Sequence, residues 1–134
     1  MEAAFKATTN GITVRVCVAY LDDHSDPAKR QFLWGYSVTI INGGEETIQL
    51  LERTWEITDA QGRVNRVQGE GVNGEQPVLS PGAQFSYSSH APLALPSGFM
   101  RGSYQMQSLP GAVLFDVAVP PFSLDSPYQN PQRH

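Results

Sequence analysis

The string Gly69-Glu70-Gly71-Val72-Asn73-Gly74 matches G-x-G-x-x-G. In a dinucleotide-binding fold that spacing presses backbone amides against a pyrophosphate, and it requires a strand before the glycines and a helix opening on them. Here Pro77, Pro81 and Gly82 follow at once, and the next regular stretch alternates as a strand does. The glycines therefore read first as a corner in a β protein. An anion site is the functional alternative: successive amides in a loop that visits positive φ form a nest, with arginines as a charge-assisted clamp. Its candidate residues are Gly69, Gly71, Gly74, Arg66 and Arg53, and its ligand a small phosphate-containing molecule or nucleotide. Glu70 and Glu75 oppose an anion there, so turn chemistry is the preferred reading.

Other reactive residue types are sparse. Asp22, Asp23, His24 and Asp26 crowd one polar loop, and carboxylates suit hard cations. The segment lacks the calcium-loop pattern, and no histidine pair has zinc spacing, so a solvated loop is preferred over a metal site. The single cysteine, Cys17, lies inside a strand-like run and is expected to pack as a small core hydrophobe. No G-x-S-x-G, H-E-x-x-H or paired catalytic carboxylate pattern occurs, so no enzyme activity and no cofactor are expected.

The elements that must position these residues are strands. Ile12, Val14, Val16, Val18 and Tyr20 alternate with Thr13, Arg15, Cys17 and Ala19, and Phe32, Trp34, Tyr36, Val38 and Ile40 share a second face. From Thr47 to Thr58 the phase changes: Ile48 and Leu50 fall in one register, Leu51, Arg53, Trp55 and Ile57 in the other. One residue of slip exchanges the faces, so a bulge near Leu50-Leu51 is expected, letting the strand bend between two sheets. Asp59-Ala60-Gln61-Gly62 reads as a type I turn. Phe85 and Tyr87 share a face, as do Met100, Gly102, Tyr104 and Met106. Val113, Phe115, Val117 and Val119 form a last strand that Pro120-Pro121 should end. Seven or eight short strands without a helix argue for an antiparallel two-sheet sandwich, with a small barrel as the alternative. One domain over residues 1–124 and a loose tail over 125–134 complete this organisation, with Trp34 and Trp55 as anchors between the sheets.

The chain has 134 residues and a net charge of −4, with its nine Lys and Arg scattered. Nucleic-acid binding normally shows a basic footprint, so none is expected. The amino terminus has no apolar run typical of a secretory signal, and no stretch approaches the roughly 20 apolar residues of a membrane helix. A cytoplasmic protein without membrane attachment is expected. Open sheet edges make a homodimer plausible.

Several motifs together carry a family resemblance. Gln49-Leu50-Leu51-Glu52-Arg53-Thr54-Trp55-Glu56-Ile57, the glycine segment from Val67 to Pro77, Ser80-Pro81-Gly82, and Pro96-Ser97-Gly98-Phe99-Met100-Arg101-Gly102-Ser103-Tyr104-Gln105-Met106 resemble the ApaG family over nearly the whole chain. Asn73 departs from the pattern, standing where an apolar residue is more usual, and so does Leu95, standing where threonine is usual. The resemblance implies a fibronectin type III-like or immunoglobulin-like sandwich. It also implies a family that includes bacterial single-domain proteins, associated with a diadenosine tetraphosphatase locus and with cobalt and magnesium tolerance. A further implied member is a domain at the substrate end of certain F-box proteins. No catalytic residue comes with it. A non-catalytic binding module with a protein partner is the resulting expectation.

Overall fold

The structure, a computed structural model, describes residues 2–128. Its first hairpin joins β1 (Glu2–Thr9) to β2 (Ile12–Tyr20) through Asn10-Gly11. Both turn residues have positive φ, 50° and 81°, as a type I′ turn requires; Asn and Gly are the residues that tolerate it. β3 (Phe32–Asn42), β4 (Thr47–Asp59), β5 (Val64–Glu70), β6 (Val78–Leu79), β7 (Gln84–Leu93), β8 (Gly98–Leu109) and β9 (Leu114–Leu124) follow. Among the described residues there are thus nine strands where seven or eight are expected. The extra ones are β1, whose residues from Glu2 to Thr9 carry no strong apolar alternation, and the two-residue β6.

The strands form two antiparallel sheets, not a barrel: β1-β2-β3-β7, and β5-β4-β8-β9 with β6 also paired to β4. The alternating faces meet as expected. Ile12, Val14, Val16, Val18, Trp34, Val38 and Ile40 from the first sheet are buried against Leu50, Trp55, Met100, Tyr104, Met106 and Val117 from the second. Trp34 and Trp55 are both core anchors, 1% and 4% exposed. β1 lies against β9 along one side of the sandwich. β7 and β5 are the outer strands on the other side.

Two irregularities shape the second sheet. Leu50 pairs with Met106 and Glu52 with Gln105, so Leu51 is the extra residue of a bulge, at the place the phase change indicates. The bulge does not carry β4 between sheets, since all its partners lie in one. It keeps Leu50 on the inner face while also turning Arg53, Trp55 and Ile57 inward. The second bulge sets Arg101 opposite Pro120-Pro121, because Met100 pairs with Phe122 and Gly102 with Val119. β9 therefore runs through both prolines to Leu124 instead of ending there. At a bulge the missing N–H groups cost no ladder hydrogen bonds.

Two further expectations are corrected. Cys17 is exposed, on the outer face of the first sheet with Arg15, because it shares the register of the polar set rather than of Val16 and Val18. The start of the carboxy-terminal tail is docked rather than loose. The Trp34 indole N–H donates to the Asp125 carbonyl at 2.7 Å, Ser126 is 2% exposed with its hydroxyl on the Pro96 carbonyl, and the Tyr128 ring packs edge-on to Tyr20. A buried indole N–H needs an acceptor, and this segment supplies it. The rest of that expected tail, 129–134, lies outside the described residues. Among the described residues no helix is long and apolar enough to cross a membrane.

Candidate functional site: a cleft on the open side of the sandwich

A cleft of about 490 Å³ opens on the side where β5 and β7 are the outer strands. Its walls come from β3, β4, β5, β7 and the loop after β5, and include Tyr36, Arg53, Trp55, Val67, Tyr87 and Ser89. Val67 faces the interior beside Trp55, yet it is 39% exposed, because β5 reaches past the cover of the first sheet.

Arg53 is the cation of this cleft. The Leu51 bulge turns it inward, and it is half-buried. Its Nη1 donates to the carbonyls of Glu70 at 3.0 Å and Gly71 at 2.8 Å. Gly69 is its partner across the strand pair, and the guanidinium lies over that residue: a Cβ there would stand about 3.0 Å from both terminal nitrogens. Among the described residues the ion pairs are Arg63–Asp59, Arg66–Glu56 and Arg101–Glu56, so Arg53 has no carboxylate partner.

The glycine segment is a hairpin, not a nest. Val72 and Glu75 exchange both backbone hydrogen bonds around Asn73-Gly74, whose φ values of 48° and 80° again fit a type I′ turn. Gly71 has φ 61°, and any Cβ on it would overlap the Glu75 carbonyl oxygen. The amides of Gly71, Val72 and Glu75 are spent on the carbonyls of Leu51, Glu75 and Val72. The bulge and the hairpin are coupled, for the Leu51 carbonyl accepts both the Gly71 amide and the Gln76 side chain. At the tip, the Asn73 side chain donates to the Ser88 carbonyl of β7 at 3.1 Å, tying the hairpin to the opposite sheet.

Two phenols, Tyr36 and Tyr87, also line the cleft, with Asn65, Ser89 and His90. Tyr36 stands across from Ser89 in the β3–β7 pair, and burial pushes its phenol up. The hydroxyls of Tyr87 and Tyr104 bond to each other in the core; burial holds both well above the usual tyrosine range. All three are neutral near pH 7 and act as hydrogen-bonding groups rather than bases. The arrangement can hold a small anionic group against an apolar wall. It contains no nucleophile paired with a base.

Of the five candidate anion residues, Gly69, Gly71, Gly74 and Arg53 come together around the hairpin. Arg66 does not: it is paired with Glu56, which alternates away from Arg53, and so lies on the outer face, where Arg101 also meets that carboxylate at 2.8 Å. Asp22, Asp23 and His24 form a single 3-10 turn, with Asp26 before the next; no group of three or more His, Cys, Asp or Glu that could hold a metal ion occurs among the described residues. Sequence reasoning missed Tyr36, Ser89 and Tyr87, for which only strand register gives a signal. It also missed that Asn73-Gly74 is a hairpin dipeptide.

The ApaG domain family model matches residues 22–108. Protein ApaG of Paramagnetospirillum magneticum is 52% identical over 128 residues, covering 96% of this chain and 98% of that protein. Protein ApaG of Rhodopseudomonas palustris (strain TIE-1) is 53% identical over 123 residues, covering 92% and 94%. The crystal structure of an ApaA protein from Bordetella pertussis superposes with a TM-score of 0.84 at 40% identity, covering 88% of this chain and 95% of that one.

Proposed function

This chain belongs to the ApaG family, and on that premise we propose that it is a non-catalytic recognition module that receives a segment of a partner protein in the cleft beside β5. The observation that carries this reading is the open side of the sandwich. An uncovered edge strand borders a cleft with an apolar wall, and the cation at its base has no carboxylate partner within the described chain. Sandwiches bind extended segments at such edges, where main-chain pairing gives affinity and pockets for alternate side chains give specificity. The anion-loop reading has less to stand on, since three loop amides are already committed. A link to cobalt and magnesium tolerance, implied by the resemblance, belongs to the same proposal. We place the module in the cytoplasm.

Affinity capture with the purified chain, followed by reconstitution with the identified partner, tests the proposal. Val67→Arg is expected to abolish binding, and Arg15→Ala, on the outer face of the other sheet, to leave it unchanged. Binding that ignores Val67→Arg, or turnover of a small substrate with no partner, would refute it.

A further inference from the structure

We propose that the partner segment is an extended strand that pairs with the free edge of β5 and places a carboxylate on Arg53; this rests on the recognition reading above and names its chemistry. Two edges border the cleft. The β7 edge is interrupted at Ser88, whose carbonyl Asn73 occupies, and at Pro92, which has no N–H to donate. The β5 edge is open along Val64–Glu70, where every residue but Gly69 is exposed. An added strand therefore pairs there, as exposed edges favour.

Register then selects the ligand group. Asn65, Val67 and Gly69 stand across from Ile57, Trp55 and Arg53 and share the inward face of β5. A strand laid beside β5 sits about 4.8 Å away and points every second side chain to that same face. Opposite Gly69 the incoming side chain meets no Cβ. It meets the Arg53 guanidinium, which crosses over the glycine from the neighbouring strand. Two residues along, the next inward side chain meets Val67 and Trp55. The favoured segment thus carries an acidic residue facing Gly69 and an apolar residue two positions away. A carboxylate suits one planar guanidinium with one terminal nitrogen already committed. A phosphate dianion is served worse by a single cation, with Glu70 also lining the cleft.

Selection from a phage-displayed random heptapeptide library on the full chain, followed by fluorescence polarisation and amide NMR with the selected peptides, tests this. Selected peptides are expected to share an acid spaced two residues from an apolar side chain and to shift the amides of residues 64–70. Replacing that acid by its amide should weaken binding about tenfold or more, a comparison that leaves the protein untouched. Arg53→Gln should weaken it similarly and Arg53→Lys less, while Arg66→Gln changes it less than twofold. Peptides that bind the β5 edge equally well as acid or amide would overturn the carboxylate inference and leave the recognition module standing. Peptides that map to β1 or β9, or no selected peptide at all, would overturn both. Inorganic phosphate shifting the 64–70 amides where no peptide does would replace the proposed ligand class.

Discussion

Tyr87 and Tyr104 satisfy each other's hydroxyls in the core, so neither can be removed alone without leaving a buried polar group. Tyr104→Phe is expected to cost about 1–3 kcal/mol in chemical denaturation, and the Tyr87→Phe, Tyr104→Phe double variant clearly less than the two single losses combined. The same burial fixes the alkaline response. Tyr36, Tyr87 and Tyr104 have raised phenol pKa values, so their stabilising contribution is complete below the ordinary tyrosine value near 10 and is lost as pH rises above it. Stability should stay flat on this account up to about pH 10 and fall beyond; ultraviolet titration should show these three ionising only as the chain unfolds. At this scale the sequence was informative where alternation alone decides. The inward Arg53 follows from its phase with Trp55. The Tyr36–Ser89 pairing does not, because it depends on how β3 and β7 align across more than fifty residues of chain.

Among the elements, the glycine hairpin and the Leu51 bulge behave as one unit, since the carbonyl that the bulge frees is the acceptor that holds the hairpin. Asn73 closes the unit onto β7. Asn73→Ala removes that side-chain bond and puts a less tolerant residue at φ 48°. It should cost about 1–2 kcal/mol and speed amide exchange in residues 71–76. Asn73→Gly restores only the backbone freedom, and should recover part of the stability without the tie to Ser88. The bulge was legible because a change of hydrophobic phase has only one cheap explanation. The hairpin was obscured by its own glycines. They match a nucleotide motif in spelling, and the Asn-Gly pair that sets the turn lies inside that match, whereas the other such pair, Asn10-Gly11, stands outside it.

Across the whole molecule, one side of the sandwich is closed by β1 against β9 and the segment after β9 is pinned at Asp125 by Trp34, while the β5 side stays open. Trp34→Phe deletes the indole donor to Asp125 and is expected to release residues 125–128. Limited proteolysis should then cut there well before the core, with stability lower by about 1–3 kcal/mol. The chain by itself determined the all-β class, the two faces of each long strand, the bulge and the two tryptophan anchors, because period-two burial is a local property written into neighbouring residues. Only the tertiary structure decided that β1 exists, that the prolines of β9 sit at a bulge, that Arg53 reaches over Gly69, and that Arg66 lies on the far face. Each of those depends on which distant strand stands alongside and in what register, and pairing between distant strands is set by the packing of both sheets together rather than by any residue's immediate neighbours.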